Sequence, residues 1–117
     1  MEGLTSLLEA PPVRPGGVTT QTLLPSRAAV PAAGEAFGGA LTLLVFDAAA
    51  SLPPHSTPHD AVLIGLQGAA EVELGGATHQ LLPGFALHMP AGATHAVRAA
   101  QGPCRMLLAK ARAASSE

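Results

Sequence analysis

The stretch from Pro83 to His95, PGFALHMPAGATH, constrains this chain more than any other. Its spacing is Gly84, five residues, Pro90, one residue, Gly92, two residues, His95. Phe85 to Met89 reads as a short strand. Pro90 ends its ladder, having no N–H to donate, and Gly92 supplies the positive φ that a tight reversal requires. The following strand then opens on His95. A turn specified this closely serves to aim one side chain, and that side chain is His95.

The rest of the chain is short strands separated by turn signals. Leu4 to Leu8 suits one helical turn or an extended arm, and Pro11, Pro12 and Pro15 stop anything longer, so residues 1–17 are expected to be an arm. Val18 to Leu24 is rich in β-branched residues and reads as a first strand. Pro25 to Gly39 is irregular, and Phe37, its only large apolar residue, is expected to pin it to the core. Ala40 to Phe46 (ALTLLVF) and Ala61 to Gln67 (AVLIGLQ) are continuous apolar runs, as in strands buried on both faces. Ala69 to Leu74 and Ala77 to Leu82 flank Gly75-Gly76, a two-residue hairpin signal. Counting outward pairs Leu74 with Ala77, Glu73 with Thr78, Val72 with His79 and Glu71 with Gln80. Ala96 to Ala100 and Cys104 to Ala109 complete the strands, and a frayed tail is expected from Lys110 to Glu117. Strands at this spacing, without a convincing long helix, predict an all-β sandwich or barrel.

The G-x5-P-x-G-x2-H spacing resembles the second motif of the cupin superfamily. That motif continues with an Asn where this chain has Ala99. A partial match to the family's first motif, G-x5-H-x-H-x3,4-E-x6-G, lies in Leu52 to Gly68. Aligned on Gly68, His55 takes the first His position, Thr57 the second and Ala61 that of the Glu. The resemblance is to small, single-domain, RmlC-like cupins and covers about residues 38 to 110. It implies a double-stranded β-helix, or jelly roll, in one domain over 1–117. It also implies a site built from His55 and His95, and a homodimer formed through the strand Val18 to Leu24. A sugar-epimerase-like branch is disfavoured, because there a Tyr works with a His and this chain has no Tyr.

Each candidate residue has an ordinary reading beside the functional one. His95 is a metal ligand at a strand start, or a core histidine bonded to a carbonyl. His55 follows Pro53-Pro54, which holds the approach extended, and is a ligand or a surface loop residue. In an extended stretch residues 55, 57 and 59 share a face, so His59 is placed to substitute where Thr57 cannot ligate; a bend at Pro58 breaks that alternation. Asp60 is the nearest carboxylate to the missing Glu, but alternation points it away from His59. His88 faces the pocket or solvent, and parity alone leaves the choice open. Ala61, Leu63, Cys104 and Met106 are expected to line the pocket as apolar residues.

A length of 117 residues suits one domain that buries about two-thirds of its unfolded surface. Hydrophobic residues make up 48% of the chain and charged ones 12%, which argues against disorder. Six Lys and Arg, a net charge of −2 and no Trp or Tyr leave no footprint for nucleic acid. The apolar run Ala40 to Phe46 is too short to span a bilayer, and no signal peptide is read at the N-terminus. The single cysteine, Cys104, forms no internal disulfide and suits a reducing cytoplasm. Two functions from different classes are expected. In one, His55, His59 and His95 hold a divalent Zn, Ni, Fe or Cu ion that meets a small molecule. In the other, a largely apolar pocket binds or senses a small ligand without metal or turnover.

Overall fold

The computed structural model describes residues 6–24 and 39–111. They form nine strands and, among the described residues, no helix. The strands are β1 (Val18–Leu24), β2 (Gly39–Phe46), β3 (Ser51–His55), β4 (Ala61–Gln67), β5 (Ala70–Leu74), β6 (Ala77–Leu81), β7 (Ala86–Met89), β8 (His95–Arg98) and β9 (Cys104–Ala111). Five make one sheet in the order β1-β2-β9-β4-β7, and four make the other in the order β3-β8-β5-β6. Every pairing is antiparallel.

Register sorts the side chains of the larger sheet into two faces. Ala40, Lys110, Ala61 and Met89 form one cross-strand row, and Thr42, Leu108, Leu63 and Leu87 the next. These rows share a face with the core of Leu44, Phe46, Leu63, Val72, Leu81, Met89, Val97, Cys104 and Met106, which fills the space between the sheets. The alternate rows, Leu41-Ala109-Val62-His88 and Leu43-Leu107-Ile64-Ala86, face outward. The continuous apolar runs of β2 and β4 follow from this, since both faces of the larger sheet carry aliphatic side chains.

The N-terminal arm lies against that outer face. Arg105 is only 4% exposed, and its guanidinium donates to the carbonyls of Leu7 (3.4 Å), Ala10 (3.3 Å) and Pro11 (2.7 Å). Asp47 holds the arm's other end by accepting the N–H groups of Gly16 and of its own neighbour Ala48. Those two bonds hold the Asp47 carboxyl below its ordinary value.

The hairpin register agrees residue for residue with the count outward from Gly75-Gly76. Gly75 and Gly76 take φ of 57° and 89°, as a primed two-residue turn requires. One strand has no counterpart in the sequence reading. β3 contains Pro53 and Pro54, which donate no N–H, and its pairing with β8 lapses between Leu52 and His55. It is tolerated because β3 is an edge strand. Phe37 lies outside the described residues, as do most of the expected tail and residues 1–5 of the arm. The part of the tail that is described, Lys110 and Ala111, continues β9.

Candidate functional site

Two short loops cross between the sheets at one end of the barrel. Residues 56–60 join β3 to β4, and residues 90–94 join β7 to β8. They are fastened together: the Gly92 N–H donates to the Thr57 carbonyl at 2.8 Å, and the Ala91 N–H donates to the Asp60 carboxylate at 2.8 Å. Gly92 sits at φ 84°, the left-handed conformation that the turn needs. The end of β9 joins the same cluster, where the Ala111 N–H donates to the Asp60 carbonyl at 2.8 Å.

His55 ends one loop-bearing strand and His95 begins the other. They are register partners across β3 and β8, with ring centroids 4.2 Å apart and planes inclined at 63°. His95 is 6% exposed, whereas His55 is exposed at the mouth. Each ring uses the same local device. The Nδ1–H of His55 donates to the Pro53 carbonyl at 2.8 Å, and that of His95 to the Ala93 carbonyl at 3.3 Å, both two residues back. In a neutral ring this places the lone pair on Nε2. Burial pulls the His95 pKa below the ordinary histidine value; the Ala93 bond opposes that shift and the charge of His55 adds to it. His95 therefore keeps its Nε2 lone pair at neutral pH.

The remaining expected residues do not converge on the pair. His59 is partly buried, its N–H donates to the Thr57 hydroxyl at 3.3 Å, and its Nδ1 is buried without a hydrogen-bond partner among the described residues. Among the described residues no three His, Cys, Asp or Glu side chains stand close enough to hold one ion. Asp60 is committed to Ala91 and lies 3.8 Å from His88. His88, expected beside the pocket, stands opposite Val62 on the outer face, because the inward positions of β7 are Leu87 and Met89. Ala61, Leu63, Cys104 and Met106 are members of the buried core. Burial raises the Cys104 thiol to about 11, so it remains protonated. His79 is exposed opposite Val72 at the hairpin.

Lys110 lies in a strand where a tail was expected. It is the second-last residue of β9, not the start of a tail, and stands between Ala40 and Ala61 on the inward register. No motif marks it; only the pairing of β9 with β4 reveals the position.

The histidine pattern implies a divalent ion, which needs donors free of other partners. Two imidazoles whose Nε2 atoms have no hydrogen-bond partner among the described residues fit two positions around a borderline ion such as Zn, Ni, Fe or Cu. They do not fit Mg or Mn, which prefer oxygen ligands, and they bring no charge to offset the ion's own. The residues thus fit an ion held by two protein ligands and completed by other groups.

Two antiparallel sheets closed around an apolar interior define a double-stranded β-helix, or jelly roll. The cupin domain family matches residues 42–110, and the chain belongs to that family. Solved structures agree on the fold. A conserved protein of unknown function from Streptococcus pyogenes superposes with a TM-score of 0.78 at 23% identity, covering 96% of this chain and 89% of that one. KdgF from a Halomonas species gives 0.66 at 28% identity, covering 85% and 82%. An RmlC-like cupin from Shewanella frigidimarina gives 0.68 at 18% identity, covering 84% and 78%. No curated protein matches the chain.

Proposed function

We propose that this cupin binds a small molecule at the mouth of its barrel, and that His55 and His95 together anchor it through a divalent transition-metal ion. The observation that carries the reading is the facing pair itself, with both Nδ1 atoms committed to carbonyls and neither Nε2 hydrogen-bonded among the described residues. Backbone bonds of this kind fix ring orientation and tautomer, as supporting bonds to ligating histidines do. A bound ion would supply Lewis acidity toward a donor atom of the ligand. The chain's own residues supply the rest. The Gly92 and Asp60 bonds hold the two loops in place, and the aliphatic interior excludes water behind the histidines.

Zinc titration by calorimetry tests this reading on the wild type, His55→Ala and His95→Ala. Both variants are expected to bind at least about tenfold more weakly, or about 1.4 kcal/mol. Equal affinity in all three would remove the pair from the site.

A second reading has its own support. The absence of a third donor within reach, among the described residues, favours a metal-free pocket in which the imidazoles contact the ligand directly. Elemental analysis of protein purified without a histidine tag separates the two: a stoichiometric transition metal supports the first, and none after loading supports the second. We also propose a homodimer through β1, which forms an edge of the larger sheet.

A further inference from the structure

We infer that the outer face of the larger sheet docks a second copy of this chain, with Lys110 of each copy set against Asp60 of the other. The contact is independent of the histidine site. It uses the face of the sheet, where the pairing proposed along β1 uses its edge.

The two outer faces of the barrel are unlike. On the smaller sheet Ser51, Arg98, Glu71 and Gln80 form one outward row, and Ala96, Glu73 and Thr78 the next. That face is polar, as a face left to water should be. On the larger sheet the outward rows are Leu41-Ala109-Val62-His88 and Leu43-Leu107-Ile64-Ala86, aliphatic except at His88. The arm covers only one end of this face. Beneath it Val45 and Arg105 are 0% and 4% exposed, whereas Leu41, Val62, Ile64, Leu107 and Ala109 all keep partial exposure. Removing those aliphatic side chains from water favours association.

The rim of the face identifies the partner. A groove of about 530 Å³ at its loop end is lined by Leu41, Val62 and Ala109 and bordered by Asp60, His88 and Lys110. The rim thus carries both signs of charge. Lys110 makes no ion pair among the described residues, and Asp60 lies only near His88, at 3.8 Å. One Asp60 oxygen accepts the Ala91 N–H, and the other has no hydrogen-bond partner among the described residues. A nucleic acid or an anionic membrane would call for cations alone. A patch with one cation, one anion and an aliphatic centre is instead complementary to itself. Turned about a two-fold axis, it sets Lys110 of each copy over Asp60 of the other, so one operation matches both charges. Those pairs fix orientation, and the aliphatic rows supply the attraction.

Because the arm occupies part of the face, the contact is small, and it is expected to fill at higher concentration than the pairing along β1. Two different two-fold contacts on one chain give a dimer when one is filled and a tetramer when both are.

The test uses the full chain carrying Gln21→Pro, which removes the edge contact and leaves the face. Sedimentation is expected to show it passing from monomer to dimer between micromolar and millimolar concentration. Lys110→Glu should weaken that association at least about tenfold, and adding Asp60→Lys should recover most of the loss by restoring opposite signs. Leu107→Ser, which leaves the charges alone, should weaken it as well. Lys110 is the chain's only lysine, so carbodiimide coupling is selective. In a mixture of ¹⁴N and ¹⁵N protein it should join Lys110 to Asp60 in peptides with one light and one heavy half. A Gln21→Pro chain that stays monomeric at millimolar concentration overturns the face contact and leaves the edge contact standing. Association unchanged by Lys110→Glu or by Leu107→Ser, or Lys110–Asp60 links confined to single chains, also overturns it. A wild type that is monomeric at micromolar concentration but dimeric at millimolar, with mixed Lys110–Asp60 links, keeps the face and removes the edge.

Discussion

The Asp60 carboxylate accepts the Ala91 N–H at 2.8 Å, and through that bond the loop after His55 is tied to the turn before His95. The Asp60 carboxylate is thus structural. Asp60→Asn keeps an oxygen acceptor and should leave the tie in place. Asp60→Ala should cost about 1 kcal/mol and strip hydrogen-exchange protection from the Ala91 amide. Equal protection in wild type and Asp60→Ala would show that the loops hold without this bond.

The Gly75-Gly76 turn offers a separate test of backbone conformation. A Cβ at either position would meet nothing within 4 Å, so space does not demand glycine there. The positive φ values do, and a β-branched residue resists them by about 1–2 kcal/mol each. Replacing both by Val should lower the melting midpoint by several degrees, whereas Gly75→Asn should be tolerated. An unchanged midpoint in the double Val variant contradicts the turn assignment.

How much of this was legible in the sequence depended on whether a local rule decided the outcome. The hairpin was, because two glycines fix a register and alternation does the rest. His95 was, because Pro90 and Gly92 bracket it. β3 was not: Pro53-Pro54 reads as a break, and only its edge position makes it a strand. The orientation of His88 required knowing that Val62, not Ala61, lies opposite it. His59 shares a face with His55 only in a chain that stays extended, and β3 ends at His55. Lys110 was hidden more completely, since its place is set by long-range pairing with Ala61 and Ala40. Residues aimed by local turns were readable; those aimed by a neighbouring strand were not.

The Arg105 guanidinium provides the third test. It is buried and serves three carbonyls of the arm, the shortest at 2.7 Å to Pro11. Arg105→Met keeps the apolar stem but leaves those acceptors unpaired, at a cost of about 1–3 kcal/mol if the arm stays in place. The arm is then expected to detach instead, which exposes residues 7–17 to limited proteolysis while the barrel survives. Identical cleavage of wild type and variant would show that the arm is held without Arg105.

The edge position of β1 makes the fourth prediction. Among the described residues its partner β2 lies on one side only, leaving a row of unpaired backbone groups on the other. A second copy pairing there would give a homodimer. Sedimentation at micromolar concentration should show twice the chain mass, and a proline at Gln21 should shift the population toward monomer. A monomeric wild type counts directly against the arrangement.

The last prediction concerns pH and follows from the burial of His95. Desolvation, the largest cause, lowers its folded pKa, and the nearby His55 charge adds to this against the Ala93 bond. An unfolded histidine titrates near 6.5, roughly its free value. Between the lowered folded value and about 6.5 the unfolded chain binds more protons than the folded one, so stability rises with pH across that window. Above it the contribution is flat, and below about 6.5 acid progressively favours unfolding. Protonation also removes the Nε2 lone pair, so zinc affinity should fall over a window set by the lower, folded value. Comparing urea midpoints of wild type and His95→Gln from pH 5 to 8 isolates the effect from the other histidines. The wild type should lose stability more steeply than the variant as pH falls below 6.5. Parallel curves would mean that His95 is no harder to protonate in the folded barrel than in the open chain.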